Sequence, residues 1–315
     1  MKPLKVDKIT FKDLSEESRI GTDVTLNLTP KKHLDYMKFE KLLYDTSYLS
    51  VYFDAKATFK GYYPEYFVYT NVFKYIQVTG DSLEFNVRHF EHILEEIELD
   101  EVDLDVDLFQ AGDKYVSANL DPNIDLDSVF FMPGTNMKHI VDHGKLDELM
   151  HYNPDMVIKP HPLCSELTIN ELGLKYGYDR IIEKEISAES VLEACSKVFY
   201  CDTSEIGIKA MYMGKTTENI NDYTDMTSLT YFHIYHILRS YPENDRKKLI
   251  YNFFTNPRFG YFDVDKSEDV LYQEVQEFLI SAKKLDEFLR PRVFNFSSDY
   301  SEANCSCQSG CSCNQ

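Results

Sequence analysis

Ser128-Val129-Phe130-Phe131-Met132-Pro133-Gly134, Met156-Val157-Ile158-Lys159-Pro160-His161-Pro162 and Lys197-Val198-Phe199-Tyr200-Cys201-Asp202-Thr203-Ser204 repeat one pattern, a short apolar run halted by a loop of small, polar or proline residues. The runs do not alternate apolar with polar, which predicts strands covered on both faces, as in a parallel sheet. Stretches of helical spacing separate them. One runs through His139, Ile140, Leu146, Leu149 and Met150. Thr168 and Glu171 stand three apart, as in a capping box, and open Leu172–Tyr176. Arg180-Ile181-Ile182 reads as another short extended run, Ser187 as the cap of a helix over Ala188–Cys195, and Ser204 as the cap of Ile206–Met213, which Gly214 ends. The order β-α-β-α-β-α-β-α predicts an α/β, doubly wound, Rossmann-like domain over residues 126–265.

Upstream the pattern is less regular. Tyr48–Phe53 reads as a strand, Phe67–Val78 is rich in aromatic and β-branched residues, and residues 89–99 read as helix. Asp103-Leu104-Asp105-Val106-Asp107-Leu108 alternates with period two, as a half-buried strand does. Residues 1–125 are therefore expected to form a smaller, irregular α/β domain. Leu271, Val275, Phe278, Leu279, Ala282, Leu285 and Leu289 recur at helical spacing and predict an amphipathic helix within 266–296. Residues 297–315 are polar and expected to be a flexible, cysteine-rich tail.

The chain has 315 residues, 43% of them hydrophobic and 14% aromatic, enough for a packed core and too many for a wholly disordered chain. Its formal charge of −20 repels nucleic acid and anionic lipid, so a phosphate site has to be a local exception. No run approaches the roughly 20 apolar residues of a membrane span. The start Met1-Lys2-Pro3-Leu4-Lys5-Val6-Asp7 lacks a signal-peptide apolar block, and Cys164, Cys195 and Cys201 are too sparse for a disulfide framework, so a cytoplasmic protein is expected.

The chemistry gathers where strands end. Lys159 and His161 are held in a loop stiffened by Pro160 and Pro162, at the carboxyl end of a buried strand, where open α/β sheets bind ligands. A cation and an imidazole there suit a phosphate group. Thr203 and Ser204 precede a helix whose exposed N–H groups favour anions. Gly134 and Thr135 follow the first strand of the domain, and Gly207 lets the later helix approach something closely.

Val157-Ile158-Lys159-Pro160-His161-Pro162 followed by Cys201-Asp202-Thr203-Ser204-Glu205-Ile206-Gly207-Ile208-Lys209-Ala210 and Gly214-Lys215 resembles the donor half of GT-B glycosyltransferases, in particular the capsular-polysaccharide and bacterial sialyltransferase-like group. The similarity covers about residues 126–225. It implies two Rossmann-like domains facing a cleft, with Lys159, His161 and Ser204 holding the diphosphate of a nucleotide-sugar or the monophosphate of a CMP-sugar, and with Gly134, Thr135 and Thr203 lining the same cleft. Transfer to a hydroxyl acceptor would need no metal. The chain departs from the family pattern at Glu205, where a second Ser is usual, and at Lys209, where a Glu is usual.

A base near the acceptor is expected for an inverting transfer, and Asp54, after the strand Tyr48–Phe53, is the candidate. A saccharide or small-molecule acceptor is one expectation. A phage-type transfer to hydroxymethylated DNA bases is another, with Lys31-Lys32-His33 and Lys56 to Lys60 as its modest basic clusters and the host cytoplasm as its location. A polyol-phosphate transferase and a non-catalytic nucleotide-sugar binding protein are the chemically different alternatives. The overlapping Asp-x-Asp copies at 103–107 read as the polar face of a strand, and His233 and His236 have no evident third ligand. No P-loop, Gly-x-Ser-x-Gly or Gly-x-Gly-x-x-Gly sequence is present. Cys305, Cys307, Cys311 and Cys313 have the chemistry to wrap Zn²⁺ or Cu⁺, but their spacing is unlike the usual Cys-x₂-Cys knuckle, and the tail reads first as an unstructured, oxidation-prone appendage.

Overall fold

The structure, a computed structural model, describes residues 49–51, 57–59, 66–72, 75–80, 83–106, 108–109, 118–226, 229–263, 265–267, 269–278, 280–282 and 284–285. Strand β1 (Leu49–Val51) pairs antiparallel with β2 (Ala57–Phe59), and β3 (Tyr66–Val72) with β4 (Tyr75–Gly80). Helix α1 (Leu83–Glu96) follows, starting six residues earlier than its spacing predicts. Asn86 explains the early start: its amide accepts from the Gly80 N–H at 2.7 Å and donates to the Gly80 carbonyl at 3.1 Å, tying the first turn to β4. The alternating segment at 103–108 is not a strand. Its described residues form turns, and Leu104 is exposed. Asp103 Oδ1 accepts the Asp105 N–H at 3.0 Å, and this local side-chain bond competes with a ladder.

Next come β5 (Leu126–Met132), α2 (His143–Tyr152), β6 (Val157–Pro160), α3 (Glu166–Tyr176), α4 (Ala188–Ala194), β7 (Cys195–Tyr200), α5 (Ile206–Tyr212) and β8 (Thr216–Asn219). The four strands form one parallel sheet in the order β6-β5-β7-β8. Phe130, Met132, Ile158, Phe199 and Cys201 pack on Leu146 and Met150 of α2 and Leu172 of α3. Val129, Phe131, Val198 and Tyr200 point to the other face and pack on Val191 and Leu192 of α4 and Ile208, Ala210 and Met211 of α5. Both faces are thus covered by helices, which is why the strands read as continuous apolar runs. The result is an α/β fold compatible with a Rossmann-like sheet.

Local starts and stops differ in detail from expectation. Ser187 does cap α4, its hydroxyl accepting the Glu189 N–H, and Gly214 sits past α5 with φ +74°. The capping residue of α3 is Ser165, which accepts the Thr168 N–H at 3.2 Å, so Thr168 lies inside the first turn rather than before it. Ahead of α2 the chain makes a 3₁₀ turn over Thr135–Ile140, and Asp142 caps the helix. Tyr178–Arg180 is also 3₁₀, and only Ile181 bridges to Ile158 of the sheet edge.

Helices α6 (Phe232–Ser240) and α7 (Glu243–Thr255) and strand β9 (Tyr261–Asp263) complete the labelled elements. β9 pairs antiparallel with Tyr75–Gln77 of β4, giving a second sheet of order β3-β4-β9. Phe90 and Ile93 of α1 share one core with Val129, Phe131 and the buried residues of α6 and α7. The expected division at 125/126 is therefore bridged by a strand ladder and a common core. Helical residues 269–278, 280–282 and 284–285 bury Leu271, Val275, Phe278, Ala282 and Leu285.

Candidate functional site

From β5 the chain passes through α2 on one face to β6, then crosses back to β7 on the other side of β5, with α4 and α5 on the opposite face. The winding reverses between β5 and β7. At such a switch point the two connections diverge and leave a crevice beyond the carboxyl ends of the strands. The residues bordering it are Pro133–Asn136 after β5 and Cys201–Glu205 after β7, with the His161 loop next to the first.

The structure brings Gly134, Thr135 and His161 together. A Cβ on Gly134 would lie 3.0 Å from Leu163 Cβ and 3.8 Å from His161 Nδ1. The His161 N–H extends the ladder by donating to the Met132 carbonyl at 3.1 Å. Its Nδ1 accepts the Leu163 N–H at 3.0 Å, so the neutral ring carries its proton on Nε2. In the neutral ring Nδ1 is thus an acceptor and Nε2 the donor. The Thr135 hydroxyl accepts the Ser165 N–H at 2.8 Å and meets Thr168 Oγ1 at 3.0 Å and Ser165 Oγ at 3.3 Å. It staples the loop to the start of α3 rather than lining a cleft.

On the other side, Ser204 Oγ accepts the Ile206 N–H at 3.3 Å, and the Ser204 carbonyl accepts the Tyr235 hydroxyl. Thr203 Oγ1 is buried with no hydrogen-bond partner among the described residues. Glu205, the residue that departs from the family pattern, accepts from the Tyr231 hydroxyl at 3.2 Å. Lys209 pairs with Glu189 of α4 at 3.1 Å in a largely buried contact, which commits its charge away from any ligand.

Lys159 is the main correction. Its side chain projects to the face of Phe131 and Tyr200, and the residue is 2% exposed. The ammonium donates to the carbonyls of Pro160 at 2.6 Å and Lys184 at 3.1 Å. Burial pushes its pKa down to about 8, opposed by the neighbouring Cys164 and Glu185. A lysine closed in this way braces the loop that carries His161 and does not reach a phosphate. The strand period of two puts Lys159 on the same covered face as Val157, and that is the signal that places it inside.

The sequence reading missed Asp202 and Arg239. Asp202 is fully buried at the end of β7, and Arg239 of α6 grips it with two bonds, Nη1 to Oδ1 at 3.0 Å and Nη2 to Oδ2 at 2.8 Å. Asn219 Nδ2 adds a third at 2.5 Å. Burial pushes the Asp202 carboxyl up, and the guanidinium and amide pull it back. The partners are 37 residues apart on different elements, beyond the reach of any local pattern. The one available signal was a carboxylate directly after the four apolar or aromatic residues Val198–Cys201.

Asp54, Lys31, Lys32, His33, Lys56, Lys60 and the tail cysteines lie outside the described residues, while Ala57–Phe59 between Lys56 and Lys60 form β2. His233 is buried and His236 exposed, so they share no face. Among the described residues no group of three His, Cys, Asp or Glu is placed to hold a metal ion, and no helix is long and apolar enough to cross a membrane. A shallow hollow lined by Asp147, Met150, His151, Lys175, Tyr176 and Arg180 lies at the C-terminal ends of α2 and α3, the edge of the sheet opposite the crevice. Asp147 there already accepts from Lys175 and Tyr176, and Arg180 from its wall donates to backbone carbonyls. The chain matches no protein-family model and no curated protein.

Proposed function

We propose that this chain is a metal-independent glycosyltransferase of the GT-B type, which binds a nucleotide-sugar at the crevice between β5 and β7 and passes the sugar to a hydroxyl acceptor. The reading rests on the topology, which sets Gly134 and His161 on one side and Thr203 and Ser204 on the other side of one switch point. These groups are neutral donors suited to the oxygens of a phosphate leaving group. In this reading His161 donates to the departing phosphate, Ser204 and Thr203 hold it, and Lys159 keeps the His161 loop in place. The acceptor sits on residues toward the N-terminus, with Asp54 as the base that takes the acceptor proton.

A thermal-shift screen against UDP, CDP, CMP, GDP and their sugars tests this. A ligand at 100 times its Kd stabilises by about 2.7 kcal/mol. At least one nucleotide is expected to raise the melting temperature, and His161→Ala to remove most of the rise. A wild-type chain indifferent to every nucleotide ends the proposal. Phosphate carried into the product would identify polyol-phosphate transfer instead of sugar transfer.

A further inference from the structure

We infer that Arg239 is the cation that recognises phosphate at this edge of the sheet, with Asp202 as the residue that positions it; the inference rests on the nucleotide-binding reading above. A crevice built for a diphosphate needs a positive group, and the lysines nearest the strand ends do not supply one. Lys159 is enclosed on two carbonyls, Lys184 pairs with Glu166, and Lys209 pairs with Glu189. Arg239 is different. Its side chain is 32% exposed, so one edge meets solvent while the other is clamped by Asp202. Asp202 takes two of the five N–H donors of the guanidinium, and the rest stay with a planar, permanently charged group.

The clamp also fixes the position. Tyr235, one turn before Arg239, hydrogen-bonds the Ser204 carbonyl and stacks on Tyr200 at 4.6 Å between ring centroids. The Tyr231 N–H donates to the Asp202 carbonyl at 2.9 Å. The start and first turn of helix α6 are thus pinned to the Asp202–Thr203–Ser204 loop. The loop is also short of partners. Asn221 Oδ1 accepts the Asp202 N–H at 2.9 Å and the Asn221 amide faces the Tyr223 hydroxyl, while Thr203 Oγ1 has no hydrogen-bond partner among the described residues. An unanswered hydroxyl on the loop that holds a fixed guanidinium is what an anionic ligand would satisfy.

The test measures affinity for UDP, CDP or GDP, whichever the wild type binds, beside the matching nucleoside and inorganic pyrophosphate. Arg239→Gln is expected to weaken the nucleoside diphosphate and pyrophosphate roughly 10- to 100-fold, the loss of one or two charge-assisted hydrogen bonds, and to leave the nucleoside unchanged. Asp202→Asn should weaken the diphosphate less and also spare the nucleoside, whereas a merely structural role would lower both alike. Equal binding of the diphosphate by wild type and Arg239→Gln overturns the assignment and leaves the nucleotide site standing. A wild type that binds no nucleotide removes both. Where a variant does not fold, the Nε–H resonance of Arg239 in the wild type decides: a shift on saturation with the diphosphate supports the contact, and an unmoved resonance overturns it.

Discussion

The Lys159 ammonium donates to the Lys184 carbonyl at 3.1 Å, joining the end of β6 to the loop ahead of α4. An enclosed ammonium has a consequence for stability. Its pKa falls from 10.5 to about 8 on folding, chiefly through desolvation. Below pH 8 both states are charged and the burial penalty is fully present. Between pH 8 and 10.5 the unfolded chain holds more protons, so stability rises with pH. Relative to Lys159→Met, the wild type should gain up to about 3 kcal/mol across that window. Urea unfolding of both at pH 7.5 and 10 measures it, and parallel curves would mean the ammonium is not enclosed.

Gly207 faces the Tyr200–Tyr235 stack. A Cβ there would fall 2.5 Å from the Tyr235 hydroxyl and 2.7 Å from Tyr200 Cδ2. Gly207→Ala improves intrinsic helix propensity by about 1 kcal/mol but forces the aromatic pair apart, at about 1–3 kcal/mol. A net loss in denaturant midpoint is expected, with a reduced near-ultraviolet tyrosine signal. A stabilised variant would show that α5 can slide away from the stack.

These two residues mark what the sequence makes legible. Gly207 could be recognised as a point of close approach because a glycine inside an apolar helical pattern has few other reasons to be there. What it approaches could not, since Tyr235 comes from a helix 28 residues on. The parallel sheet was readable because burial on both faces leaves unbroken apolar runs such as Val129–Met132. The alternation at 103–108 misled because Asp is both the polar half of a strand pattern and a turn former, and the local bond from Asp103 prevailed. Lys159 misled for a related reason: charge suggests exposure, while the strand period put the side chain inside. His161 and Ser204 could be placed at the same edge because each follows a strand of one parallel sheet, whereas Arg239 depends on a long-range pair.

Arg180 holds three backbone carbonyls at the end of α2, from Met150 at 2.9 Å, Asn153 at 2.7 Å and Met156 at 2.9 Å. These include carbonyls that the end of a helix leaves without partners. Arg180→Ala should cost about 2–4 kcal/mol, because charge-assisted bonds are lost and the carbonyls are left unanswered. Arg180→Lys should recover less than half, since an ammonium cannot span the three directions of the fork. Faster hydrogen exchange confined to the second half of α2 would locate the damage, and a uniform change across the chain would contradict it.

His89 and His233 set the acid limit of the fold. His89 lies against Phe278 at 5.5 Å and meets Ser281 Oγ at 3.3 Å, while His233 packs edge-on to Phe90 at 4.8 Å with Nε2 3.4 Å from Gln77 Nε2. Burial pushes both pKa values down to about 3, with Arg258, His92 and His233 adding to the effect at His89. In the unfolded chain both titrate near 6.5. Their contribution to stability is therefore complete above about pH 6.5 and is lost as the pH falls toward 3, by up to about 2.7 kcal/mol per unit while both protons are taken up only by the unfolded state. A fold of ordinary stability, about 5–15 kcal/mol, would be severely weakened by pH 4.5. Acid also neutralises carboxylates in a chain of charge −20, which relieves repulsion and acts in the opposite direction. Comparison with the double variant His89→Leu, His233→Leu cancels that background, because only the two imidazoles differ. Urea midpoints at pH 7, 6, 5 and 4.5 should fall steeply for the wild type and by much less for the double variant, with each single variant between them. Equal slopes would mean that both rings reach water and take up protons while the protein is folded, and that α1, α6 and the helical residues after 269 do not seal around them.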